Sequence, residues 1–170
     1  MSWRPGQKAF TILELLVVLT ILAIMAFLTV PSFLTFINET HVTSYAEDLL
    51  YNLQYARSEA IKRNSNVYVS FTTGSTWCYG INVGSSCTCS TSGSCGLGAF
   101  LAPSGIATMS TTGLSSGSLI FEGTRGAATN GASKIIFTIV GGTMAIGVTL
   151  TGLGNMQMCS STISGYSACP

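Results

Sequence analysis

Cysteines are the residues of this chain best suited to chemistry, and there are six: Cys78, Cys87, Cys89, Cys95, Cys159 and Cys169. The first four are close enough in sequence to supply thiolates to zinc, but their spacing differs from the paired C-x₂₋₄-C pattern of zinc sites. An even number of cysteines after an apolar segment is typical of an exported chain, in which disulfide bonds form. We therefore expect a disulfide framework and no metal, with a pairing that the sequence leaves open.

A single acid, Glu14, stands near the start of a long apolar run. Residues 15–30 carry no charge, whereas Arg4 and Lys8 precede the acid. A carboxylate at the centre of a bilayer costs about 3 kcal/mol, so its presence in such a run requires a partner. We expect Glu14 to meet a cation.

One short stretch matches a hydrolase motif, but it lies in a region where such a match is expected from composition. Residues 113–117 match G-x-S-x-G in a region rich in serine and glycine. A nucleophilic serine of this kind needs a preceding strand, a following helix, a histidine and an acid. The single histidine is His41, which we place on a helix beside the membrane. We therefore predict that the protein is not an enzyme and uses no cofactor.

The charge balance argues against a large nucleic-acid interface. The formal net charge is +1, and loss of residues 1–9 would remove Arg4 and Lys8 but no acid. Proteins that neutralise many phosphates carry a clear excess of lysine and arginine. Nucleic acid is therefore not among the partners that composition predicts.

Residues 10–37 are long enough to cross a membrane. At 1.5 Å per residue this segment spans a hydrocarbon core of roughly 30 Å. The basic residues before it hold the N-terminus in the cytoplasm. A cleaved signal peptide is the alternative, but the run is longer than a usual h-region and no clear A-x-A site follows it. Pro31 removes a backbone donor, which predicts a helix kink.

Residues 38–64 have the pattern of an amphipathic helix that ends at Asn64. Apolar residues recur at steps of four and three, as expected for one helical face. They are Val42, Ala46, Leu49, Leu53, Ala56 and Ala60. Glu59 lies mostly off this stripe and is spaced to pair with Arg63. We expect Arg57 and Glu59 on a solvated face rather than in a binding role. The stripe should pack on a sheet.

Short strands and turns follow the helix. Six segments have the length and the β-branched or aromatic content of strands. They are residues 67–71, 77–83, 119–122, 134–139, 145–151 and 156–159. Residues 85–98, rich in serine, glycine and cysteine, are expected to form a disulfide-closed loop. The fold class is therefore α+β.

The segment KAFTILELLVVL at residues 8–19 resembles the N-terminal signature of type IV pilins and type II secretion pseudopilins. This resemblance implies that a prepilin peptidase cuts between Ala9 and Phe10 and methylates Phe10. It also implies that Glu14 neutralises the N-terminal amine of a neighbouring subunit during assembly, a buried pair that sets register more than stability. Ala9 replaces the family's usual glycine, and Ile-Leu-Glu replaces the usual Leu-Ile-Glu.

Residues 49–64, LLYNLQYARSEAIKRN, resemble the GspH/FimT/FimU branch of these pilins. The resemblance implies a type IV pilin fold, in which a long N-terminal helix with a transmembrane half and an amphipathic half packs on an antiparallel β-sheet domain. The implied divisions are a leader at 1–9, a membrane or filament-core helix at 10–37, the amphipathic half at 38–64 and an exported head at 65–170. It also implies a Cys159–Cys169 disulfide.

Some FimT-type pilins take up DNA through a G-R-x-R element just before a late cysteine. The matching stretch here is GNMQMC at residues 154–159, with Asn155 and Gln157 in the arginine positions. Neutral amides release no counterions, so this part of the electrostatic affinity is missing. Arg125 and Lys134 remain as a candidate for a weak DNA-binding patch.

The sequence thus predicts a minor type IV pilin, similar to FimU and FimT, that is incorporated at or near a pilus tip and primes or supports assembly. The alternatives are a GspH-like pseudopilin of type II secretion and a FimT-like DNA-binding pilin. The expected partners are the prepilin peptidase, other minor and major pilins, the inner-membrane assembly platform and the membrane itself. We expect a single-pass inner-membrane protein that moves into a pilus or a periplasmic pseudopilus.

Overall fold

The computed structural model describes residues 10–103 and 105–170, without the side chains of residues 28–32. The predicted leader with Ala9, and the side chain of Pro31, therefore lie outside the described residues. The chain divides after Ile37 into two units. Within the described residues, no helix is both long enough and apolar enough for a membrane crossing.

Helix α1 (Ile12–Arg63) has a defined signal at each end. At its start, the hydroxyl of Thr11 accepts a hydrogen bond from the backbone N–H of Glu14 at 3.2 Å, which is half of a capping box. At its end, Asn64 has a φ of 47°, and the N–H of Ser65 donates to the carbonyl of Ala60 at 3.2 Å. This left-handed residue and back-bond form a Schellman motif, so the predicted helix end at Asn64 is confirmed.

The rest of the described chain forms two four-stranded antiparallel sheets. The strands are β1 (Val67–Thr72), β2 (Cys78–Val83), β3 (Gly98–Leu101), β4 (Ala107–Thr112), β5 (Ser118–Phe121), β6 (Ser133–Ile139), β7 (Ala145–Leu150) and β8 (Met156–Cys159). The first sheet has the order β3-β2-β1-β5, and the second has the order β4-β6-β7-β8. All six predicted strands are present, whereas β3 and β4 are additional to the prediction.

One hydrophobic core lies between the amphipathic half of α1 and the two sheets. The predicted stripe is confirmed, because all six of its members are fully buried. They share the core with inward-facing residues of both sheets, such as Val69 and Phe137. The ring of Tyr45 on α1 lies 5.4 Å from that of Trp77 and 6.2 Å from that of Phe137. These rings join the helix to both sheets.

Three disulfides close loops of the second unit, residues 38–170. They join Cys78 to Cys89, Cys87 to Cys95 and Cys159 to Cys169, with Cα–Cα distances of 5.8, 5.3 and 4.9 Å. The expected disulfide framework is confirmed, and the last bond joins the pair that the resemblance implied. All six sulfur atoms are used in these bonds, so none of them is a thiolate ligand.

Gly80 on β2 is required by the packing of the first two disulfides. Its neighbours Tyr79 and Ile81 belong to the core, so Gly80 faces the opposite side of the sheet. A Cβ atom at Gly80 would collide with Sγ of Cys95 and would lie 3.0 Å from Sγ of Cys87. The two disulfides therefore lie directly against the backbone of this strand.

We predict that Gly80→Ala lowers the free energy of unfolding by about 2–4 kcal/mol, because the new methyl group cannot coexist with the Cys87–Cys95 bond. Chemical unfolding without reductant, together with a count of free thiols, measures this effect. In a background where both Cys87 and Cys95 are alanine, the same change should cost less than about 1 kcal/mol. An equal cost in the two backgrounds would contradict the explanation.

Candidate functional site

The N-terminal site contains Phe10 and Glu14, and both are exposed. Phe10 is 80 % exposed and precedes the first turn of α1. Among the described residues, no cation forms an ion pair with Glu14. The position of Glu14 in the first turn is itself favourable, because its negative charge is attracted to the positive end of the helix dipole. The roles of Phe10 and Glu14 in processing and assembly remain predictions.

Arg57 lies against a loop of the head rather than on the solvated face that the sequence suggested. Its Nη1 donates a hydrogen bond to the carbonyl of Gly154 at 3.0 Å, and its Nη2 lies 3.5 Å from the carbonyl of Leu153. These carbonyls belong to the turn between β7 and β8. Arg57 therefore ties α1 to the second sheet across nearly one hundred residues of sequence.

Two glycines make room for the side chain of Arg57. A Cβ on Gly154 would lie 3.1 Å from Nε of Arg57 and 2.6 Å from the carbonyl oxygen of Gly126. A Cβ on Gly126 would lie 3.0 Å from Cγ and Nε of Arg57. Both glycines also have a left-handed φ, 81° at Gly154 and 63° at Gly126. Glycine is thus favoured at both positions by backbone conformation and by space.

Glu59 is paired as predicted but is more buried than predicted. Its carboxylate accepts hydrogen bonds from Nε of Arg63 at 2.6 Å and from Nζ of Lys62 at 3.1 Å, although the residue is only 5 % exposed. The hydrogen bond from Arg63, followed by that from Lys62, holds the pKa of Glu59 below its ordinary value of 4.5. The stabilisation is therefore present above pH 4.5 and is lost as the pH falls through the lowered pKa.

Arg125 and Lys134, the candidate weak DNA-binding patch, lie on separate elements. Arg125 is exposed in the turn after β5. Lys134, on β6, donates a hydrogen bond to the carbonyl of Pro170 and lines a groove of about 500 Å³. Asn155 and Gln157 line the same groove, but Arg125 does not. The structure therefore groups Lys134 with the two neutral amides rather than with the second cation.

The G-x-S-x-G stretch lies in the turn between two strands, β4 and β5, rather than between a strand and a helix. Ser115 accepts a backbone hydrogen bond from Ser118 within this turn. His41, on α1, is exposed. The described geometry thus lacks the strand–turn–helix context in which such a serine acts as a nucleophile.

We predict that Gly154→Ala destabilises the head by about 2–3 kcal/mol. The new methyl group would clash with the carbonyl oxygen of Gly126 and crowd Arg57, and both effects add to the cost of a left-handed alanine. The matched control is Gly141→Ala, since Gly141 has a similar φ of 74° but no neighbour within 4 Å of a built Cβ. The control should cost only about 1 kcal/mol. Thermal unfolding of both variants measures the difference, and equal losses would exclude a steric contribution from Gly126 and Arg57.

Comparisons with known proteins agree with these features. The family described as Type II transport protein GspH matches residues 45–159, which is more than half of the chain. The prokaryotic N-terminal methylation motif matches residues 4–30. No curated protein sequence matches the chain.

Among solved structures, the chain is similar to the type IV minor pilin FimU of Pseudomonas aeruginosa (strain PAO1), with a TM-score of 0.57 and 21 % sequence identity. The match covers 76 % of this chain and 96 % of that chain, and it confirms the α+β type IV pilin fold. With the GspH match over most of the head, the chain belongs to the GspH family of minor type IV pilins and pseudopilins.

Proposed function

We propose that this chain is a minor type IV pilin that is cut between Ala9 and Phe10, methylated on Phe10 and incorporated at or near the tip of a pilus. The observation that carries this proposal is the combination of two matches in one chain. An N-terminal methylation motif at residues 4–30 precedes a GspH head at residues 45–159. The function is structural, and the partners are the prepilin peptidase, the assembly platform and other pilins.

The N-terminal unit is proposed as the membrane anchor and later as part of the filament core. Residues 15–30 carry no charge in the sequence. The described apolar side chains of this unit before Ile37 are exposed, including Leu13 at 72 % and Phe27 at 82 %. Exposed apolar surface of this extent favours contact with lipid or with other helices. Pro31 retains its proposed role as a kink.

A pseudopilin of type II secretion is the second candidate, and the description of the matching family favours it. Both candidates use the same processing and the same assembly contact, so the geometry of one subunit does not separate them. Deletion of the gene separates them: a minor pilin is needed for surface filaments, whereas a pseudopilin is needed for protein secretion. Secretion lost with normal filaments would overturn the first proposal.

We predict that Glu14→Ala and Glu14→Gln lower incorporation into filaments by more than about tenfold, because a buried amine loses its counter-charge. Cleavage should continue. Glu14→Asp keeps the charge and should retain part of the incorporation. Thr11→Val is the matched control, since it removes the hydroxyl that caps the N–H of Glu14 but leaves the carboxylate. Immunoblots of sheared filaments measure incorporation, and normal levels of Glu14→Gln would exclude the charge pair.

We predict that the mature protein begins at a methylated Phe10. Intact-mass and N-terminal peptide mass spectrometry of the cellular protein test this directly. Without the prepilin peptidase, the protein should retain residues 1–9 and carry no methyl group on Phe10. An N-terminus beyond residue 30 would instead establish an ordinary signal peptide.

A further inference from the structure

Two neighbouring clefts share Gln54 on the exposed side of α1. One cleft, of about 260 Å³, is lined by Tyr51, Gln54, Tyr55 and Ser58. The other, of about 360 Å³, is lined by Gln54, Arg57, Gly154, Asn155 and Met156. We call these residues, together with Leu153, the Arg57 surface.

The Arg57 surface has the composition of a protein contact. Tyr51 is 75 % exposed and Leu153 is 76 % exposed, and both are large apolar side chains. Tyrosine and arginine are the residue types that most often dominate the binding energy of protein interfaces. Because Arg57 is held by a loop and two glycines, it presents its guanidinium in one orientation. A rigid cation flanked by exposed aromatic rings is therefore available to a partner.

The charge of Arg57 is not balanced within the described part of the chain. The only groups that accept its hydrogen bonds there are the carbonyls of Gly154 and Leu153. No described carboxylate forms an ion pair with Arg57. Its Nε is buried, so a partner would reach the remaining N–H groups of Nη1 and Nη2, which face the cleft that Arg57 lines. An arginine with unused donors pairs best with a planar carboxylate. The complementary group is thus an aspartate or glutamate side chain.

Negative charges on α1 near the Arg57 surface argue against a polyanionic partner. Glu47 and Asp48 are exposed about one helical turn before Tyr51. Two carboxylates at that distance repel a polyanion such as the phosphate backbone of DNA. A folded protein can present an acid to Arg57 and a neutral or basic residue to Glu47 and Asp48.

We propose that the Arg57 surface binds a neighbouring, different pilin subunit through an acidic side chain that pairs with Arg57 and through apolar contacts with Tyr51 and Leu153. This inference rests on the proposed function, because it requires the chain to be a filament subunit. It adds the location of the contact on the head and the chemistry of the partner.

The test places a photo-crosslinking phenylalanine analogue at Tyr51 in the full-length chain and irradiates assembled filaments. Mass spectrometry then identifies the crosslinked peptide. Gln54→Glu is combined with this label because it places a carboxylate in the cleft that Arg57 lines. Gln54→Lys is the matched control of opposite charge. Gln157→Glu is a second control, because it adds a carboxylate to the groove lined by Lys134 and not to the cleft lined by Arg57.

The expected partner peptide comes from another pilin and contains an aspartate or glutamate near the crosslink. Gln54→Glu should lower the crosslinking yield by about fivefold or more, because it repels the incoming acid. Gln54→Lys and Gln157→Glu should change the yield by less than about twofold.

An unchanged yield with Gln54→Glu, a partner peptide without an acid, or a peptide from a second copy of this chain would overturn the inference. Immunoblots of the same filaments measure incorporation of the chain, and this separates failure of the inference from failure of the proposed function. If the unmodified chain is incorporated but the crosslink fails these criteria, only the Arg57 contact is wrong. If the unmodified chain is absent from filaments, the proposed function is wrong, and the inference falls with it.

Discussion

Burial of one apolar stripe of α1 is the constraint on which the folded head depends. An α-helix pairs its own backbone N–H and C=O groups, so burying this face leaves no backbone group without a partner. The stripe can therefore pack against both sheets. The ring of Tyr45 contacts Trp77, which directly precedes β2 of the first sheet, and Phe137 on β6 of the second sheet. Without the helix, the inner faces of two small sheets would be open to water. Tyr51 and Gln54 lie on the exposed side of α1, and Arg57 is half-buried beside them.

The outer face of each sheet is held by disulfides rather than by another layer of secondary structure. The Cys78–Cys89 and Cys87–Cys95 bonds fold a loop over Gly80 on the first sheet, and Cys159–Cys169 closes a loop after β8 on the second. Only 8 % of the residues are charged, so surface ion pairs contribute little to holding these loops. Covalent closure reduces the entropy of the unfolded chain instead. The same bonds allow long serine- and glycine-rich loops to be ordered.

The N-terminal methylation motif lies in the first unit of the chain, and the GspH match lies in the second. The proposed processing and anchoring depend on features of the N-terminal unit, namely a local sequence motif and an exposed apolar surface. In the head, the neutral amides of Asn155 and Gln157 line a groove with the cation Lys134. On the proposed function, the N-terminal unit supplies the assembly contact, and the head supplies the contact that selects a partner.

Local pattern in the sequence was sufficient for the helix, its stripe, its end at Asn64 and six strands, because helix period, strand alternation and capping depend on residues close in sequence. β3 was missed because it is a short edge strand. β4 was missed because it is rich in serine and threonine and has only two apolar residues, Ala107 and Met109. The pairing of Cys78 with Cys89 required β2 and its loop to be placed in space. The docking of Arg57 on Gly154, and its approach to Gly126, likewise joins residues far apart in sequence. Only the tertiary structure decided these contacts, because the energy of a long-range contact depends on distances that no local pattern encodes.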